Sequence, residues 1–141
     1  DGYMSPVHRY AKVCLVSGVQ PQTASVRFLA SLPPSLDIRG AGYSDEDLLA
    51  LSAALPFDGG LEALDMGQNP RVTDISACSF LRTLTSREPT DTIYALRLDQ
   101  CSRLGGETIM LCTKLLRACL LELQSLDLSG IAIGSTENPA L

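Results

Sequence analysis

Apolar and polar residues alternate over four short phrases that repeat along the chain: SLDIRG (35–40), ALDMGQ (63–68), ALRLDQ (95–100) and SLDLSG (125–130). Each reads apolar–polar–apolar, the period of a strand with one buried face. Their anchoring leucines, Leu36, Leu64, Leu96 and Leu126, are 28, 32 and 30 residues apart. A period in this range predicts one strand-plus-helix unit stacked on itself. Between the phrases the spacing turns helical. Ser44, with Asp47 three residues on, predicts a capped helix carrying Leu48, Leu51 and Leu55 and ending at Pro56. Thr73 or Asp74 opens a short helix with Ile75, Cys78 and Leu81. Gly105-Gly106 precedes a longer one with Ile109, Cys112, Leu115, Leu116 and Cys119.

The first 34 residues lack the phrase. Ser5-Pro6 marks a helix start, because proline at the first helical position loses no needed hydrogen bond. Val7, Ala11, Cys14 and Leu15 trace a stripe ending at Gly18. Gln20-Pro21 opens a second helix, with Val26, Leu29 and Leu32 inward and Pro33-Pro34 as the stop. The expected division is therefore a helical cap over 1–34 and repeats over 35–141. About four units are expected, the last incomplete, since Asn138-Pro139 opens a helix that stops two residues later. An uncovered last layer implies a longer chain or a larger complex.

The second and third units, LEALDMGQNPRV (61–72) and IYALRLDQCSRL (93–104), place apolar residues and Asn69 or Cys101 at matching positions. This resembles the leucine-rich repeat, and the step length resembles its ribonuclease-inhibitor-like subfamily. The run PRVTDISACSFL (70–81) resembles the cysteine-containing subfamily of F-box proteins. The resemblance implies an α/β solenoid, strands on a concave face and helices on the convex one, that binds a protein partner without catalysing a reaction. It also implies membership of a cytoskeletal, flagellar or centrosomal assembly. The alternative it implies is a regulatory or substrate-recognition subunit, an F-box-like ubiquitin-ligase receptor or a GTPase-activating protein. At the Asn/Cys position the outer units carry Ala41 and Ile131.

Composition narrows the function. With 16 acidic against 11 basic residues the net charge is −5, which argues against the basic stripe that nucleic-acid binding requires. Nothing in the sequence reads as a membrane span. Hydrophobic residues make up 45% and aromatics only 5%, which suits aliphatic layers. Five cysteines (14, 78, 101, 112 and 119) form no CxxC pair and are expected as reduced, buried thiols. That expectation points to a reducing compartment, cytoplasm or nucleus. One histidine, His8, and no paired ligand spacing leave no metal site, cofactor or catalytic residue to expect.

The candidate binding residues lie between the inward leucines. Asp37, Asp65, Arg97 and Asp127 form one outward column; Arg39, Gly67, Asp99 and Ser129 form the next, with Tyr94 ahead of the third strand. Such a ladder suits a partner with a basic segment. Against that stands mutual neutralisation, with Arg97 between Asp65 and Asp127 and Arg39 near Asp65.

Overall fold

The computed structural model describes residues 5–55, 61–85, 95–118, 125–127 and 129, with backbone alone for 84–85, 115–118 and 125–127. Helix α1 (Pro6–Ser17) begins as its sequence demands: the Ser5 hydroxyl accepts the His8 N–H, and Pro6 opens the first turn. Gly18, at φ 71°, closes it in the left-handed conformation that glycine adopts without penalty. Helix α2 (Thr23–Ser31) ends at Leu32 (φ 48°), directly before Pro33-Pro34. Then come β1 (Ser35–Asp37), α3 (Asp45–Ala54), β2 (Ala63–Asp65), α4 (Asp74–Thr85), β3 (Ala95–Arg97), α5 (Gly106–Ala118) and β4 (Ser125–Asp127). The capping box of α3 is complete: Ser44 and Asp47 each bind the other's backbone N–H.

The four strands form one parallel sheet in the order β1-β2-β3-β4. Leu36, Leu64, Leu96 and Leu126 stand in register, so the repeated phrase occupies the same place in each row. The helices form the other layer, α1 packing on α2 and α3, α3 on α4, and α4 on α5. Between the layers lie Leu36 and Ile38, Leu64 and Met66, Leu96 and Leu98, against Leu48, Leu51, Phe80, Leu81 and Cys112.

The leucine-rich-repeat solenoid is corrected here. The described residues make a small α/β unit of five helices and one short parallel sheet that does not curl into a solenoid. A curved stack arises from a small rotation summed over many repeats. Four three-residue strands at about 4.8 Å spacing span only about 15 Å.

Other expectations shift by a residue or two. In α1 the buried residues are Tyr10 and Cys14, while Leu15 is 83% exposed. In α2 Phe28 and Leu29 are buried and Leu32 is exposed; in α4 Ile75 faces solvent, and Ala77 and Phe80 join Cys78 and Leu81 inside. Helix α4 runs twelve residues and is not short. Cys14, Cys78, Cys101 and Cys112 are free and buried. Cys119, Tyr94, the turn at Ile131 and the helix start at Asn138-Pro139 lie outside the described residues.

Asn69 ties together the backbone of two neighbouring rows just after β2. Its amide nitrogen donates to the carbonyls of Ile38, Met66 and Gly67, and its Oδ1 accepts the Tyr43 N–H at 2.9 Å. One row on, Cys101 Sγ donates to the Met66 carbonyl at 3.2 Å.

Candidate functional site

The outward columns take shape from strand register. Asp37, Asp65, Arg97 and Asp127 are successive partners across the sheet. The second column continues past the strand ends, because the N–H groups of Gly40, Gln68 and Gln100 reach the carbonyls of Gly67, Asp99 and Ser129. Backbone hydrogen bonds thus fix both columns, which is what a preformed face requires.

Within each row the acid also folds its own turn. Asp37 Oδ1 accepts the Arg39 N–H at 3.1 Å, and Asp65 Oδ1 accepts the Gly67 N–H at 3.0 Å. The third row has Arg97 instead, so no acid repeats that bond there.

Arg39 dominates the electrostatics. Its Nη1 lies 3.2 Å from Asp65 Oδ1, the expected neighbour. Its stronger partner is Asp99, two rows away, bound through two parallel contacts: Nη1–Oδ1 at 2.7 Å and Nη2–Oδ2 at 2.5 Å. Forked pairs of this kind are the best-oriented ion pairs proteins make. The guanidinium crosses the middle row only because residue 67 is glycine. A Cβ there would fall on the guanidinium, 2.6 Å from Asp99 Oδ1 and 3.0 Å from the Asp99 carbonyl oxygen. Arg97 Nε stands 3.7 Å from Asp99 Oδ1.

Asp99 is only 4% exposed. Its hydrogen bonds with Arg39 hold its carboxyl below the usual aspartate range against the opposing effect of burial. Asp37 and Arg97 are the exposed members, the Arg97 side chain at 46%. The expected binding residues thus divide. Arg39, Asp65 and Asp99 are knotted together, Asp37 and Arg97 face solvent, the backbone places Asp127 in its column, and Tyr94 is not described. Held low by Arg39, the Asp99 carboxyl is poorly suited to taking up a proton. Among the described residues no group of three His, Cys, Asp or Glu side chains is placed to hold a metal ion. No helix among them is long and apolar enough to cross a membrane.

The Arg39–Asp99 reach was not read from the sequence, although Gly67 in the middle of a charged column was a signal for it. Two further polar clusters went unread. Asp45 accepts the Thr73 N–H, the Thr73 hydroxyl and the Ser76 hydroxyl, and Asp74 accepts the Gly105 N–H and the Thr108 hydroxyl. Tyr10 and Tyr43, both fully buried, tie the first two helices to the first row: Tyr10 Oη accepts the Gln22 N–H, and Tyr43 shares a hydrogen bond with Ser25.

No family model and no curated protein matches the chain. A solved structure titled leiomodin-1 actin-binding site 2 is similar in fold, with a TM-score of 0.60 and 15% identity. The match covers 96% of this chain and 66% of that one, so the chain spans just under two-thirds of its length. At that identity the likeness concerns fold alone. Its title names an actin-binding site and no repeat family, in line with the correction above.

Proposed function

We propose that this chain is a non-enzymatic protein-binding module with a cytoskeletal partner, contacted through the outward face of the sheet. The observation that carries the reading is the fixed double column of charges, held by strand register and the Arg39–Asp65–Asp99 knot. Rigid presentation lowers the ordering cost of binding. Exposed Asp37 and Arg97 are the contact residues, and the partly buried knot beside them holds the face in place. The solved structure titled as a leiomodin-1 actin-binding site supports actin as the first partner to test. A reducing compartment fits the four buried free thiols.

The test is co-sedimentation with actin filaments and a fluorescence titration with actin monomers. Binding at micromolar concentrations is expected, reduced about fivefold by Arg97→Ala and weakened by salt, since exposed charges are screened over about 8–10 Å. No binding to either form at tens of micromolar, or an Arg97→Ala variant that binds unchanged, overturns the reading.

A further inference from the structure

We propose that the free edge of β1 accepts an extended segment of a partner protein as an added parallel strand, seated in the cleft beside α2. Alternate residues of a strand direct their backbone groups to opposite edges. In β1 the residues turned toward β2 are identified by their bonds: the Pro34 carbonyl accepts from Glu62 and Ala63, and the N–H groups of Ile38 and Gly40 reach the carbonyls of Asp65 and Gly67 at 2.9 and 3.0 Å. Ser35 and Asp37, the intervening residues, therefore direct their backbone N–H and C=O groups the other way. In β2 the register equivalents of these residues, Ala63 and Asp65, are those through which β1 is received. The edge thus carries the same receiving pattern that β2 shows to β1, with no strand on it among the described residues.

A cleft lies along this edge. Arg27, Phe28 and Ser31 of α2 form one wall, Ser35, Leu36 and Asp37 the other, around about 280 Å³. A helix about 10–12 Å across does not fit such a space, whereas a single extended backbone does. Buried Phe28 and Leu36 are the apolar members of the two walls, so small or β-branched residues suit the inward positions. Asp37, exposed and outward, stands where the neighbouring side chain of an added strand would lie. A lysine or arginine there is favoured, because opposite charges on adjacent strands attract. Strand addition draws its affinity from main-chain bonds and its selectivity from such alternate side chains. The surface meets the face proposed above at Asp37 and does not include Arg97.

The probe is a capped five-residue peptide, Thr-Val-Lys-Val-Thr, titrated into the full 141-residue chain and followed by amide NMR and hydrogen exchange. Shifts confined to residues 24–37, with slowed exchange at Ser35 and Asp37, are expected. N-methylating both valines should weaken binding at least about tenfold, the loss of two backbone hydrogen bonds. Asp37→Lys should weaken the lysine peptide about fivefold and favour a glutamate version by a similar factor. Arg97→Ala should leave peptide binding unchanged, which separates this site from the actin reading. The proposal is overturned if no shifts appear at millimolar peptide, if they map elsewhere, or if the N-methylated peptide binds equally. It is also overturned if Ser35 and Asp37 become protected with rising protein concentration alone, since a second copy would then occupy the edge.

Discussion

Gly67 decides the charge pattern of the face more than any charged residue does. Its missing side chain is the gap through which Arg39 reaches Asp99, so Gly67→Ala forces the guanidinium or the Asp99 backbone to move. Overpacking of this kind costs about 1–3 kcal/mol, read as a lower denaturation midpoint. In an Arg39→Ala background the cost should shrink, because one of the colliding groups is gone. The paired acids make a second prediction at this scale. Asp99 is lowered chiefly by its hydrogen bonds with Arg39. Asp45 is lowered because the hydroxyl and N–H donors of Ser76 and Thr73 outweigh its desolvation. A depressed carboxylate stabilises the fold above its unfolded value, and that stability is lost as pH falls through the folded one. Stability should therefore drop below about pH 4, and Asp45→Asn with Asp99→Asn should flatten the drop in a urea-denaturation series. The buried thiols and Tyr43 set the opposite limb. Burial pushes the Cys112 thiol up to about 11 and the Tyr43 hydroxyl up to about 12, so stability should fall from about pH 9, where the unfolded thiol ionises, until both folded groups have ionised.

At the scale of elements, the starts of successive helices are linked. Asp45, in the first turn of α3, holds the first turn of α4 through Thr73 and Ser76. Asp74, in the first turn of α4, holds that of α5 through Gly105 and Thr108. The corresponding position of α5 is Gly106, which has no side chain to extend the link. Replacing Asp74 by Ala strands two donors at a helix start and should cost about 1–3 kcal/mol. Amide exchange should rise in the first turn of α5 and stay unchanged in α3. Much at this scale was readable from local chemistry. Ser5-Pro6, Gly18, and the Ser44–Asp47 box mark helix ends through hydrogen bonds within a few residues, and the leucine phrase sets strand register. What periodicity did not resolve was which of two adjacent apolar residues turns inward. Cys14 and Leu15 are about 100° apart on a helix, and the packing of α1 on α3 decides between them. The Asp45 and Asp74 links join residues about 30 positions apart and leave no local pattern, as does the fork from Arg39 to Asp99.

For the whole molecule, the leucine column is the seam between sheet and helices. Leu96 lies in β3, with a strand on either side and 1% of its surface exposed, so neighbours limit collapse around a void. Leu96→Ala should lower stability by about 2–5 kcal/mol, and a denaturation midpoint equal to the parent's would remove it from the core. A curved solenoid was the overreading at this scale. Curvature depends on how many units accumulate, and a repeated phrase does not encode that sum. The helix links carry one more consequence. Each acid lies earlier in the chain than the donors it will hold, so the dependence runs one way, from α3 to α4 to α5. Synthesis runs the same way, and domains begin to form from the end made first. A ribosome therefore delivers each of these two anchors before its cargo, and the starts of α4 and α5 each emerge to a receptor already waiting.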